Sequence, residues 1–212
     1  MFTAVRDTVS TGVPALDRKL DGGLPTGTVV SLLAEPASQS ELFLSELASQ
    51  RETLYLTVDR SPTAVSKSLN GQAGAYDDLS VKSLDASAPV VDALRSIATL
   101  PEDGLVVIDP IGPLERAGSG PYRAFLSELQ STAAQRDAVA VVHALKHSDA
   151  PPQRHRTEHM ADVVFDLVTE PSGDSVENRL LVPKFRGGRA LTDAVRLSLT
   201  DRIAVDTSRD IA

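Results

Sequence analysis

The sequence predicts an α/β fold: a mostly parallel sheet covered by helices on both faces and extended at one edge by antiparallel hairpins. Two observations carry that expectation. Short apolar runs alternate with helical patterns up to about residue 145, the order in which strands are joined by helical crossovers into a parallel sheet. The last third is strand-rich instead, broken by turn sequences at Pro171-Ser-Gly-Asp174 and Arg186-Gly-Gly-Arg189 that suit hairpins. With 212 residues, no shift in composition and no internal repeat, residues 1–212 are expected to form a single domain.

Taken in order, apolar alternation and buried runs predict strands near 28–33, 53–58, 79–83, 105–109, 138–143, 162–168, 178–184, 194–199 and 202–206. Apolar spacing of three and four predicts helices near 12–20, 40–50, 62–70, 89–99 and 121–136. Asp206 to Ala212 reads as a short tail. In open α/β sheets, ligands bind beyond the carboxyl ends of the parallel strands. The loops after residues 33, 58, 109 and 143 are therefore expected to share one functional edge.

Four segments give that edge a more specific character. Residues 10–27 read STGVPALDRKLDGGLPTG and lead into the strand Thr28–Leu33. Gly104-Leu-Val-Val-Ile-Asp109 is an apolar strand ending in a carboxylate. Glu158-His-Met-Ala-Asp-Val-Val-Phe165 and Pro183-Lys-Phe-Arg-Gly187 follow near the C-terminus. In this order and at these distances they resemble the landmarks of the RecA/KaiC-like (RadA/KaiC-type) P-loop ATPases: the run before Walker A, the Walker B strand, an E-x-x-A-D-x-[VI] strand and a K-[FL]-R-G hairpin. The resemblance covers nearly the whole chain and implies a three-layer RecA-like P-loop fold.

Against that pattern the phosphate loop itself departs. A P-loop reads G-x-x-x-x-G-K-[ST]: its backbone N–H groups cradle phosphate, its lysine reaches the β/γ-phosphates and its hydroxyl holds Mg²⁺. The eight corresponding residues are Ala34, Glu35, Pro36, Ala37, Ser38, Gln39, Ser40 and Glu41. Both glycines and the lysine are absent, and Glu41 stands at the magnesium-ligand position. Carboxylates here would repel a polyanion by roughly 4 kcal/mol per pair of charges 4 Å apart, at an effective dielectric of about 20. Ser38-Gln-Ser-Glu41 matches an S-x-x-E capping box, in which Glu41 would supply the negative charge that phosphate supplies in active relatives.

The other positions implied by the resemblance are mixed. Leu54-Tyr-Leu-Thr-Val-Asp-Arg-Ser-Pro62 resembles a strand ending F-E-E-S-P, whose glutamate positions the attacking water. Asp59 and Arg60 occupy those two places, so Asp59 is only base-like. Asp109 retains the Walker B carboxylate, although a strand-terminal aspartate before proline is also an ordinary turn residue. Lys184 and Arg186 match residues that act in trans on a neighbouring subunit's nucleotide, or they belong to a solvated basic hairpin. The segment Leu145–Arg156, with Lys146, Arg154 and Arg156, is basic for this chain. It is read as a solvated surface loop or, with no interleaved aromatic, a less favoured partner or nucleic-acid contact.

Composition narrows the classes further. A net charge of −8 disfavours nonspecific binding to nucleic acid or acidic membranes. Aspartate outnumbers glutamate and arginine outnumbers lysine, a balance that suits a salt-adapted proteome and also GC-rich coding. The absence of cysteine removes disulfides, thiolate metal sites and thiol nucleophiles. His143/His147 and His155/His159 have H-x-x-x-H spacing, but without a completing ligand no metal site is expected. The N-terminus MFTAVRDTVS has no signal-peptide pattern and no apolar run spans a membrane, so a cytoplasmic protein is expected. The combined expectation is a non-catalytic RecA/KaiC-like regulatory or assembly module that needs no cofactor and associates with itself or with an active homologue. Two alternatives stand beside it: an ATP-binding protein completed by a neighbouring subunit, and a DNA-binding recombinase paralogue.

Overall fold

The computed structural model describes residues 7–73, 78–188, 191–200 and 202–206. The predicted tail beyond Asp206, the first six residues and Arg189 of the predicted turn lie outside these.

The chain enters through a two-residue strand β1 (Thr8–Val9), a short helix α1 (Pro14–Lys19) and a second two-residue strand β2 (Leu24–Pro25) antiparallel to β1. Here the STG…D run proves to be local architecture. The Asp17 carboxylate accepts hydrogen bonds from Ser10 Oγ at 2.6 Å, Thr11 Oγ1 at 2.7 Å and Thr11 N–H at 2.8 Å. Gly23 has φ +120°, and a Cβ there would stand 2.1 Å from the Val9 carbonyl oxygen. Only glycine permits that approach.

The central segment alternates as expected: β3 (Thr28–Ala34), α2 (Ser40–Ala48), β4 (Thr53–Thr57), α3 (Pro62–Ala73), β5 (Leu79–Ser83), α4 (Pro89–Ile97) and β6 (Leu105–Asp109). Next come a single turn α5 (Gly112–Glu115), the long helix α6 (Ser119–Gln135), β7 (Val139–Leu145) and α7 (Arg154–Met160). The chain closes with β8 (Val163–Ser172), β9 (Ser175–Phe185), β10 (Val195–Leu199) and β11 (Ile203–Val205). Among the described residues nine strands form one sheet in the order β11-β10-β9-β8-β3-β7-β6-β4-β5. Strands β8 through β5 in that order pair in parallel, whereas β9, β10 and β11 pair antiparallel at one edge.

The strands β3, β4, β6 and β7 are buried almost throughout, as a sheet covered on both faces requires. One core lies under α1 and α2, where Phe43 and Phe165 meet edge to face with centroids 5.5 Å apart. The other lies under α4 and α6 and is filled by Tyr122, Phe125, Leu126 and Leu129. No helix among the described residues is long and apolar enough to cross a membrane.

Two helices escape the sequence reading. The basic segment predicted as a loop folds from Arg154 onward into α7, and α5 precedes α6. Neither carries an apolar stripe of its own. They are held by a buried polar cluster: Arg154 makes a two-pronged ion pair with Glu115 (Nε–Oε1 2.9 Å, Nη2–Oε2 2.8 Å). Thr157 Oγ1 also donates to Glu115, and pairs with Tyr122 Oη at 2.8 Å. Glu115 is fully buried. Such a cluster depends on residues 39 positions apart, which no local period reveals.

Candidate functional site

The turn Glu35–Gln39 between β3 and α2, the ends of β4, β6 and β7, and the residues just beyond them converge on one sheet edge. The sequence places Glu41, Asp59 and Asp109 on that edge, and the fold brings all three to the wall of a cavity of about 380 Å³, together with Arg60 and His143.

The capping box expected over Ser38–Glu41 is not formed. Helix α2 starts at Ser40 with Gln39 as N-cap and has no side-chain cap. Ser38 turns the other way, its Oγ donating to the Glu35 carbonyl at 2.7 Å and its N–H to the same oxygen at 3.0 Å. Glu41 does not fold back on the helix amides. Its carboxylate takes Arg60 Nη1 at 2.6 Å and Ser68 Oγ at 3.0 Å. A guanidinium offers a charge-assisted bond that one backbone N–H does not match, so the strand-end arginine captures Glu41.

Asp109 ends β6 in a nearly closed environment. Tyr55 Oη donates to its Oδ2 at 2.5 Å, and His143 Nδ1 stands 2.6 Å from its Oδ1. Burial opposes ionisation of Asp109, but the hydrogen bond and charge of His143 and the Tyr55 hydroxyl outweigh it and hold the carboxyl below its ordinary range. The Tyr55 hydroxyl is pushed upward by burial first and by the Asp109 charge second. A carboxylate only accepts hydrogen bonds, so Nδ1 of His143 carries a proton and donates it to Asp109. The opposite ring nitrogen, Nε2, is buried and has no hydrogen-bond partner among the described residues. His143 and Tyr55 contribute chemistry that the sequence reading did not assign. The only signal was His143 at the predicted end of β7.

Asp59 sits at the mouth of the cavity, exposed and with no ion-pair partner among the described residues. On the other side of the turn, Ala37, Ser38 and Gln39 also border a hollow of about 590 Å³ against β8, β9 and β10, where Arg196 stands.

The basic residues singled out in the sequence are engaged inside the chain. Lys184 Nζ donates to the carbonyls of Glu158 (2.9 Å) and His159 (2.6 Å), and Arg186 Nη2 donates to His159 at 3.0 Å. They close the C-terminal end of α7, where free carbonyls and the helix dipole favour cations. Burial, and then the Arg186 charge, lower the Lys184 ammonium from its ordinary value. Lys146 pairs with Asp166 and donates to the Leu167 carbonyl at 3.1 Å. Arg154 is buried against Glu115, and Arg156 binds Gln153 and Ser119 side chains. The three therefore do not present a common free surface. His155 and His159 share an exposed face of α7, whereas His143 is buried and His147 exposed.

A parallel sheet with its loop-bearing strand β3 between β7 and β8, helices on both faces and an antiparallel edge defines the RecA-like fold in its KaiC-like form. The chain belongs to a family of unknown function, DUF7125, which matches residues 8–212. Among solved structures it is similar to the KaiC-like protein PH0186 from the hyperthermophilic archaeon Pyrococcus horikoshii OT3. The TM-score is 0.77 at 14% identity, covering 95% of this chain and 99% of that one. No curated protein matches the sequence.

Proposed function

We propose that this protein is a non-catalytic RecA/KaiC-like regulatory or assembly module whose degenerate Walker A loop has given up phosphate binding and which acts through protein–protein contacts. One observation carries the reading: the Glu41–Arg60 ion pair at 2.6 Å. By the resemblance, these positions would carry the magnesium-binding hydroxyl and part of the water-positioning segment. Here they neutralise each other instead of meeting a nucleotide. Mg-ATP would have to break that pair and approach Glu41, Asp59 and Asp109 without a lysine to offset them.

The two alternatives receive less support. A neighbour's Lys184 and Arg186 would first have to leave the carbonyls of α7 that they serve. A DNA contact through Arg154 would expose the buried Glu115 carboxylate. The deciding experiment is titration calorimetry with ATP and ADP in Mg²⁺ at low and high KCl. We expect no heat of binding up to millimolar nucleotide; saturable binding would overturn the proposal. The assembly half is tested by sedimentation, where the 22.5 kDa chain should run as a larger species alone or with an active homologue.

A further inference from the structure

We draw no further inference here: the strongest candidate, the cavity of about 300 Å³ beyond the ends of β4, β6 and β7 that Asp59, Arg116 and His147 line from exposed positions, has among the described residues of its wall no buried polar atom left without a partner, so nothing in it points to a particular ligand.

Discussion

Arg60 and Glu41 meet at 2.6 Å across 19 residues of sequence, joining the start of α2 to the segment that leaves β4. Their side chains are 33% and 40% exposed, so solvent and salt screen much of the attraction. A double-mutant cycle of Arg60→Ala and Glu41→Gln, followed by urea unfolding, should give a coupling of about 0.2–1 kcal/mol. The coupling should shrink in 1 M KCl. A cap on α2 would behave differently: Glu41→Gln would cost the same with or without Arg60. Little of the fold's stability is therefore expected to depend on the pair.

Asp109 gives a pH signature. Its folded-state carboxyl titrates below its ordinary value because the His143 and Tyr55 contacts outweigh burial. A carboxyl depressed on folding stabilises the native state above its unfolded value near 4, and that contribution is lost as pH falls through the lower, folded value. Urea midpoints from pH 6 to pH 3 should therefore decline in the wild type. Tyr55→Phe removes one donor to Asp109, moves its titration back toward the ordinary range and should flatten that decline. At pH 7 the variant should lose about 1 kcal/mol for the hydrogen bond itself. An unchanged acid limb in Tyr55→Phe would show that the tyrosine does not hold the carboxylate.

Much of this architecture is legible in the chain because its signals are local. The buried runs of β3, β4, β6 and β7, the turn at Ser172–Ser175 and the glycine pair before β2 each follow from a few neighbouring residues. The gathering of Glu41, Asp59 and Asp109 at one edge follows from strand order alone. What sequence could not reveal was which partner each charge would choose. Ser38 and Glu41 spell a capping box, yet Arg60, 19 residues away, takes the carboxylate. Arg154 reads as a solvated cation, yet Glu115 draws it inside and α7 folds around it. Long-range electrostatic choices leave no period in the sequence, and the pairing of His143 with Asp109 was hidden for the same reason.

Gly23 tests the local part of that reading. Its φ of +120° and the 2.1 Å that would separate an added Cβ from the Val9 carbonyl oxygen leave no room for a side chain. Gly23→Ala must push the Val9–Ser10 backbone away from β2. The expected loss is at least about 1–3 kcal/mol, seen as a lowered thermal midpoint. Gly120→Ala, where a Cβ meets nothing within 4 Å, is the control and should be neutral or slightly stabilising, since alanine is the better helix former.

The Glu115–Arg154 pair separates a structural role from a nucleic-acid role for the same arginine. Both side chains are buried, and Glu115 also takes the Thr157 hydroxyl. Removing only the cation strands a carboxylate in the interior, so Arg154→Ala should cost about 3–5 kcal/mol in urea unfolding. Replacing both partners with apolar residues, Glu115→Leu with Arg154→Met, should recover a large part of that loss, because two desolvated charges then disappear together. Arg156, which among the described residues bonds uncharged side chains only, should cost less than about 1 kcal/mol when changed to alanine. If Arg154 instead served as a phosphate contact, its removal would leave stability intact and lower the salt slope of DNA binding by about one. The two roles predict opposite outcomes in the same pair of measurements, and the buried geometry favours the loss of stability.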